Sequence, residues 1–379
     1  MIYRKTLLIR TVLTSCLLFW ASVSQGEIVF EETFDDQPDW TGNTHPSSTN
    51  SRLPSRGDVI PEGWSFARID TQWGPSTGHG DRHEAVEILA ANSDKSRGGV
   101  GKSMVSWRDS YDPGWNKWNS DGVLLKRIGD QSQAYFEFYI SFSKEMYESY
   151  ATDKLGNAKI FRVYSWTGDW NDPFKYFDST SHPALDWSIK GGPRYGIRNK
   201  LSLYGIGGEE GAPEIPGKPH SGDYSLSYMG RSLAGMAPDG GDAKLPDQIN
   251  GGYITPSSTK AVSMEQVFGP PGTWNKVAFF VKLNSGKGKL DGVLTQWIND
   301  TQILHTDKVN WVPVGKPGVS WNVFGLGGND YFQGYPNERR YEEWYAIDDV
   351  RVLTKIPDNL EQTTSEAAPP NPPGGVGVN

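Results

Sequence analysis

The fold is decided by a stretch near the C-terminal end of the chain, residues 282–300, which read KLNSGKGKLDGVLTQWIND. The Gly-Lys-Gly-Lys segment and the Asn299-Asp300 pair are typical of hairpin turns, since these residue types accept the backbone conformations that tight turns need. The run between them, residues 292–298, alternates as a β-strand does. One side of this strand carries Leu294, Gln296 and Ile298, and the other carries Val293, Thr295 and Trp297. The stretch therefore predicts a β-hairpin with one buried face and a second face available to a ligand.

The same pattern continues along most of the chain. From Glu27 to about Ile356, short alternating segments are separated by Gly, Pro, Asn and Asp, which indicates an antiparallel all-β domain. The predicted strands are 85–89, 102–107, 134–142, 158–166, 200–204, 274–283, 293–298, 319–326 and 344–353. The best helix candidate is 144–150. Because so many strands occur without alternating helices, we expect an antiparallel β-sandwich. In it, residues 274–309 form adjacent strands and residues 344–353 pair near the N-terminal strand.

Residues 1–26 are predicted to be a signal peptide. Basic residues precede an apolar stretch and then small residues, as in secretory leaders. The segment LTSC at 13–16 also matches a lipoprotein box, but only two residues separate it from Arg10. Secretion is therefore favoured over lipid anchoring. Cys16 is the only cysteine of the chain, so the exported protein has no disulfide bond.

Two further segments depart from the alternating pattern. Residues 205–262 contain little regular structure, and a loop insertion of this length often forms a lid or a cleft wall. Residues 357–379 are rich in Pro and Gly and are predicted to be a disordered tail. The domain itself is predicted to span 27–356 and to be a monomer. No segment after the leader is long and apolar enough to span a membrane.

The composition limits the class of partner. The chain has 379 residues and a formal net charge of -8, and removal of the basic leader makes it more acidic still. Such a protein does not bind nucleic acid or anionic membranes through its overall field, so a polyanionic partner needs a local basic groove. The 15 Trp residues suit sugar binding, because indole faces pack against the C–H faces of pyranose rings.

Three segments carry a resemblance to a known family. They read GTWNKVAFFVKLNSGKGKLDGVLTQWINDTQILHTDKV (272–309), WNVFGLGG (321–328) and EEWYAIDDVRVL (342–353). Together they resemble the C-terminal half of jelly-roll polysaccharide lyases of the alginate and glucuronan lyase type. The N-terminal half is similar in outline, through RHEAVEIL (82–89) and GGVGKSMVSW (98–107). The resemblance implies a concanavalin-like jelly roll that cleaves an acidic, uronate-containing polysaccharide by β-elimination.

Two other functions share this skeleton. A non-catalytic carbohydrate-binding module or lectin needs no catalytic group. A jelly-roll glycoside hydrolase needs two carboxylates close together, and the usual Glu-x-Asp-x-Glu strand pattern is absent. Glu84 and Glu87 are an odd number of residues apart, so alternation points them to opposite faces. The polysaccharide lyase is the leading prediction, the binding module is the alternative, and the hydrolase stands third.

Elimination beside a uronate carboxylate needs a cation to neutralise that carboxylate, a base and an acid. In the strand at 158–166, alternation predicts Ile160, Arg162, Tyr164 and Trp166 on one face and Lys159 on the other. Lys159 followed by Arg and Tyr residues also resembles the catalytic Lys, Arg and Tyr set of family fourteen alginate lyases. The predicted catalytic residues are Lys159, Arg162, Tyr195, Arg198, Tyr204 and His83.

Cations and aromatic residues elsewhere extend the predicted groove. Arg82 and Glu84 are expected to share a strand face and brace the cleft by a charge-assisted hydrogen bond, while His83 is the best-placed histidine for a base. The cations expected to line one groove are Lys102, Lys159, Arg162, Arg194 and Arg198. The strand of Trp297 is expected to neighbour that of Arg162. The predicted substrate-binding residues are Arg82, Lys102, Arg108, Tyr164, Trp166, Arg194 and Trp297.

Acidic residues near both ends of the domain predict a structural calcium ion. FEETFDD (30–36) and IDDV (347–350) place carboxylates on the first and last strands, which are neighbours in many jelly rolls. Ca²⁺ prefers carboxylate and carbonyl oxygens, and the predicted ligands are Glu31, Asp35 and Asp348. No His or Cys cluster has the spacing of a zinc site, and the predicted chemistry requires no cofactor.

Overall fold

The computed structural model describes residues 26–41, 60–70, 74–109, 118–152, 156–168, 170, 183–191, 196–204, 223–226, 245–254, 261–312, 314–315, 319–331 and 342–360. The strands before the first helix are β1 (Ile28–Glu32), β2 (Trp40–Thr41), β3 (Phe66–Asp70), β4 (Val86–Ile88), β5 (Met104–Trp107), β6 (Trp118–Gln131) and β7 (Gln133–Phe142). Between the two helices lie β8 (Gly156–Tyr164), β9 (Ala184–Gly191), β10 (Arg198–Tyr204), β11 (Asp223–Leu226), β12 (Leu245–Pro246) and β13 (Tyr253–Ile254). The last strands are β14 (Asn275–Lys282), β15 (Gly292–Ile298), β16 (Thr301–Val309), β17 (Trp321–Tyr331) and β18 (Trp344–Leu353). The helices are α1 (Lys144–Thr152) and α2 (Met264–Phe268), and short 3-10 turns cover Pro75–Thr77 and Ala90–Lys95.

The strands form two large antiparallel sheets. One has nine strands, in the order β16-β15-β14-β7-β18-β5-β4-β2, with β1 also pairing with β18. The other has seven strands, in the order β11-β10-β9-β8-β17-β6-β3, and β12 pairs with β13 alone. The predicted antiparallel sandwich is therefore confirmed. The predicted adjacency of β14, β15 and β16 is also confirmed, as is the pairing of β18 with the first strand.

Aromatic side chains join the two sheets. Phe161 of the seven-stranded sheet stacks on Phe279 of the nine-stranded sheet, with ring centroids 4.7 Å apart. Phe136 and Phe138, also from the nine-stranded sheet, lie 5.4 Å and 5.7 Å from Phe161. Trp187 completes this group at 5.6 Å from Phe279. Because these rings are almost fully buried, they supply much of the apolar area that stabilises the sandwich.

Each sheet also has an outer face, turned away from the shared core. On the nine-stranded sheet this face carries two small apolar clusters, one around Trp297 and one around Trp107. On the seven-stranded sheet it carries a third cluster and, on β8, β9 and β10, a group of charged side chains. This last face positions the candidate site.

The predicted helix, the predicted insertion and the predicted tail are each described at least in part. The predicted helix is present as α1. Within the predicted insertion at 205–262, the described parts include β11, β12 and β13. The described chain continues past residue 356, where the tail was predicted to begin, and Leu360 is buried against the cluster around Trp297. Among the described residues, no helix combines the length and the apolar character needed to cross a membrane.

Candidate functional site

The outward positions of β8, β9 and β10 form a surface that we call the cation face. Strand register places Arg162 opposite Asp186 and Lys159 opposite Ser188. From the other side, Ser202 lies opposite Asp186. The outward positions are Asn157, Lys159, Arg162, Tyr164, Ala184, Asp186, Ser188, Lys190, Arg198, Lys200, Ser202 and Tyr204. Directly opposed residues in antiparallel strands have Cβ atoms about 5 Å apart, so the described side chains among these positions lie side by side on one face of the sheet.

A β-bulge brings Lys159 onto this face. Lys159 pairs with Ser188 and Phe161 pairs with Trp187, which leaves Ile160 as the extra residue. Ile160 and Phe161 both belong to the core. The prediction that Ile160 shares a face with Arg162, and that Lys159 lies on the opposite face, is therefore wrong. The bulge breaks the two-residue alternation on which that prediction rested.

The charge on this face opposes that of the whole protein. Five of its positions are cations, and Asp186 is its single carboxylate, whereas the chain has a formal net charge of -8. Lys159, Lys190 and Lys200 are half-buried, so part of each side chain reaches solvent. Lys190 and Asp186 were not predicted as site residues. The sequence nevertheless contains a signal for them, because ALDWSIKG at 184–191 alternates between apolar and polar residues, which puts Asp186 and Lys190 on one strand face.

Glycines of β17 make room for the Arg162 side chain. Arg162 lies opposite Gly325, and one of its terminal nitrogens, Nη2, donates a hydrogen bond to the Gly327 carbonyl oxygen at 2.8 Å. A Cβ atom on Gly325 would lie 3.2 Å from Arg162 Cγ. Arg162 is only 1% exposed. The guanidinium is therefore held in place across β17 rather than extended into solvent.

An apolar cluster borders the cation face. Tyr164 and Trp166, both predicted to bind substrate, are buried there with Val123, Leu125 and Val323. The Trp166 backbone is also fixed by Asn322, whose side chain accepts a bond from its N–H and donates one to its carbonyl oxygen. The structure therefore places both aromatic residues beside Arg162, in a packed environment.

His83 lies against the nine-stranded sheet, away from β8. Its ring stacks on Trp107 with centroids 3.5 Å apart, and Nδ1 lies 3.1 Å from the buried carboxylate of Asp109. Arg82 donates to the Asp109 carbonyl oxygen at 2.5 Å, and Glu84 accepts a bond from the Ser76 N–H. These contacts hold His83 and Arg82 together around Asp109 rather than around Arg162.

Arg108 and Lys102 do not extend the cation face as predicted. Arg108 is fully buried and forms ion pairs with Asp330 at 2.9 Å and Glu343 at 2.8 Å. Lys102 pairs with Asp39 at 3.1 Å and donates to the Gln37 carbonyl oxygen. Both residues flank β5 of the nine-stranded sheet, whereas β8 lies in the other sheet. Their partners are distant in sequence, so strand alternation alone did not reveal them.

The expected neighbourhood of Trp297 and Arg162 is also wrong. Trp297 is on β15 of the nine-stranded sheet, and Arg162 is on β8 of the seven-stranded sheet. Trp297 is fully buried and packs with Tyr135, Phe280 and Leu360. The second face of the opening hairpin is therefore covered by the protein's own chain at this indole.

Of four predicted residues in and just before β10, two lie within the strand. Tyr204 has the outward register on β10, opposite Ala184, which in turn lies opposite Tyr164. Arg198 lies in the same strand, opposite Lys190, and is 7% exposed. Arg194 and Tyr195 lie outside the described residues. Of the predicted catalytic residues, Lys159, Arg162, Arg198 and Tyr204 are thus brought to one face.

Two of the predicted calcium ligands, Glu31 and Asp348, have partners within the protein. Glu31 pairs with Arg351 at 2.8 Å. Asp348 accepts bonds from the backbone N–H groups of Arg97 and Asp349, and burial raises its pKa to about 7, with the Asp349 and Asp35 carboxylates adding to the effect. Within the described part of the chain, no group of three or more His, Cys, Asp or Glu side chains is arranged to hold a metal. The calcium ion stays a prediction.

No protein-family model matches the chain, and no curated protein matches it. Among solved structures, it is similar to an endo-β-1,4-glucuronan lyase from the fungus Trichoderma reesei, with 12% identity, 78% of this chain and 92% of that chain covered, and a TM-score of 0.41. Alginate lyase vAL-1 from Chlorella virus gives 13% identity, 66% and 84% coverage, and a TM-score of 0.38. A non-specific endo-β-1,3(4)-glucanase gives 11% identity, with 88% of this chain and 96% of that chain covered, and a TM-score of 0.39. These likenesses extend to lyases and a hydrolase alike, and at such scores they carry no inference about activity.

Proposed function

We propose that the protein is an exported polysaccharide lyase that cleaves an acidic, uronate-containing polysaccharide on the cation face. The observation that carries this proposal is the register of β8, β9 and β10, which gathers five cations and one carboxylate on one surface of an acidic protein. A local excess of positive charge attracts a polyanion even when the net charge of the protein is negative. The predicted leader peptide agrees with a polysaccharide partner outside the cell.

The proposed reaction uses residues of this face in three roles. Arg162 neutralises the uronate carboxylate, because a guanidinium presents two parallel donors to a carboxylate group, and Lys159 is the second cation beside it. A base then removes the C5 proton as the C4–C5 double bond forms. The C4–O bond breaks, and its oxygen takes a proton from an acid. Tyr204, whose backbone has the register of this face, and Tyr195, which lies outside the described residues, are the proposed base and acid.

One observation favours a second candidate, a glycan-binding module without catalytic activity. Asp186 lies directly opposite Arg162, and both residues are only 1% exposed. A carboxylate at this position offsets part of the positive charge that a substrate carboxylate would otherwise meet. In this alternative the half-buried lysines hold the polyanion, and no bond is broken.

The deciding experiment incubates the protein with a panel of uronate polysaccharides and follows the ultraviolet absorbance of the unsaturated uronate that elimination produces. We expect absorbance to rise for the wild type. Arg162→Ala should lower turnover by about a hundredfold, the order seen when one transition-state donor is removed. Arg162→Lys should recover only part of this loss, since it restores the charge without the two-pronged geometry.

Lys308→Ala is the matched control. Lys308 is a half-exposed cation on the edge strand β16, paired with Asp307, so its removal should leave turnover unchanged. Retention of full activity by Arg162→Ala would contradict the proposed site. Binding of the polymer without any unsaturated product would favour the binding module, and new reducing ends without that product would favour hydrolysis.

A further inference from the structure

Two irregularities in neighbouring strands meet beside Arg162. In β8, Ile160 is the extra residue of a bulge against β9. In β17, the register with β8 shifts between Leu326 and Asp330. A bulge re-aims the side chains around it and bends the strand. Because β8 and β17 are paired, both irregularities act on the same few side chains of the cation face.

Gly328 lies between the two cations that the bulge brings together. A Cβ atom on this residue would lie 2.6 Å from Arg162 Nη2 and 2.6 Å from Lys159 Cβ, closer than real side chains approach. Gly328 does not have a positive φ, unlike Gly327 at 85°. The position therefore requires the absence of a side chain, and not the conformational freedom of glycine.

Tyr345 fixes the same bulge from inside the sandwich. This residue is on β18 of the opposite sheet and is fully buried. Its hydroxyl donates a hydrogen bond to the Lys159 carbonyl oxygen at 3.2 Å. The backbone that carries Lys159 is thus held by a contact through the core, while the space beside its side chain is kept open by Gly328.

We infer that Gly328 and Tyr345 are positioning residues, which hold Lys159 and Arg162 side by side as the site for one uronate carboxylate. This inference rests on the proposed function and deepens it. A carboxylate has two oxygens in one plane and each accepts more than one hydrogen bond, so the two-pronged guanidinium can bind both oxygens while the ammonium donates to one of them from the side. Neither Gly328 nor Tyr345 needs to contact the substrate for this role.

The test uses Gly328→Ala and Tyr345→Phe in the full chain, assayed on uronate oligosaccharides. Both should lower kcat/KM by about tenfold to a hundredfold, because small displacements of catalytic groups cost rates of this order. Gly252→Ala is the control, since Gly252 has open space around its Cβ position and no positive φ. It should behave as the wild type does.

A double-mutant cycle separates positioning from a general effect on the fold. If Gly328 acts through Arg162, then Gly328→Ala should change kcat/KM less than about twofold in an Arg162→Ala background. If the loss of kcat/KM in the double variant equals the product of the two single-variant losses, the inference is overturned. If Gly328→Ala does not fold, as shown by its melting curve, Tyr345→Phe decides, because it removes one hydroxyl and keeps the ring. Full kcat/KM in folded Tyr345→Phe would then overturn the inference.

The failure of this inference differs from the failure of the proposed function. An active wild type that is impaired by Arg162→Ala but unaffected by Gly328→Ala and Tyr345→Phe contradicts the positioning role alone. A wild type that neither binds nor cleaves any uronate polymer contradicts the positioning role and the proposed function together.

Discussion

Arg108 lies between the carboxylates of Asp330 and Glu343, and all three side chains are almost completely buried. Arg108→Ala would leave two carboxylates uncompensated in the interior. We expect the free energy of unfolding to fall by about 3–5 kcal/mol, the usual cost of breaking a buried ion pair from one side. Denaturant unfolding followed by tryptophan fluorescence measures this loss.

Arg351 provides the comparison for Arg108. It also pairs with two carboxylates, those of Glu31 and Glu137, but its side chain is 37% exposed. Ion pairs that reach solvent contribute little, so Arg351→Ala should cost at most about 1 kcal/mol. Equal losses in the free energy of unfolding of Arg108→Ala and Arg351→Ala would show that burial does not determine how much the Arg108 ion pairs stabilise the fold.

The raised pKa of Asp348 predicts how the free energy of unfolding depends on pH. Burial raises the pKa of its carboxyl from 3.8 to about 7. The folded state therefore holds this proton more tightly than the unfolded chain does. The resulting stabilisation is complete below the unfolded value and is lost as the pH rises through the folded value.

Asp348→Asn should remove this pH dependence. Relative to the wild type, the free energy of unfolding of the variant should increase by about 2–4 kcal/mol between about pH 4 and pH 8, since one pKa unit corresponds to about 1.4 kcal/mol. Urea unfolding at several pH values measures the difference. A difference that stays constant across this range would show that Asp348 titrates normally in the folded state.

Among the elements, the segment that follows β18 has an unexpected structural role. Leu360 is 1% exposed and covers Trp297 on the outer face of the nine-stranded sheet, together with the partly buried Ile356. Leu360→Ala should lower the free energy of unfolding by about 2 kcal/mol, at the lower end for a buried Leu because the site is at the edge of the domain. The midpoint of denaturant unfolding measures this loss.

Leu290→Ala is the control for Leu360. Leu290 is 43% exposed, so its truncation should change the free energy of unfolding by less than about 0.5 kcal/mol. Tryptophan fluorescence adds a second measurement, because Leu360→Ala should expose Trp297 to solvent and shift its emission. If both variants unfold as the wild type does, Leu360 is not a structural cover.

The elements also show what the sequence could and could not predict. Alternation was enough for β14, β15 and β18, because one face of each strand packs in the shared core and the other in the small clusters of the outer face. It missed β6, whose sequence WNSDGVLLKRIGDQ is interrupted by glycines and charged residues that normally mark turns. Its pairing with β3 and β17 nevertheless makes it a long strand inside the sheet, next to the edge strand β3.

The candidate site was harder to predict than the strands. Lys159, Arg162, Arg198 and Tyr204 were named from residue type and strand face, and register places them together. The bulge at Ile160 has no sequence signal of its own, since each residue around it suits a regular strand. Likewise, the partners of Arg108 and Lys102 are set by tertiary contacts that local patterns do not contain.

At the scale of the whole molecule, the two ends of the domain are where a calcium ion was predicted. Their strands do pair, as that prediction required. If Glu31, Asp35 and Asp348 share an ion, excess chelator should lower the melting temperature, because an ion bound only by the folded state stabilises it. Adding calcium back should restore the original curve. Identical melting curves with and without chelator would contradict the predicted calcium site.

The pairing of β1 with β18 has a consequence for protein engineering. The Thr354 N–H donates to the Glu27 carbonyl oxygen at 3.0 Å, and the Glu27 N–H donates to the Thr354 hydroxyl at 3.0 Å. A peptide linker from the chain just after Leu360 to Glu27 would therefore keep the cover over Trp297, and new termini could be opened in the exposed turn at residues 285–290. Such a circular permutant should keep both sheets and leave β8, β9 and β10 untouched. The same closeness would let the domain be spliced into a surface loop of a host protein without stretching either connection.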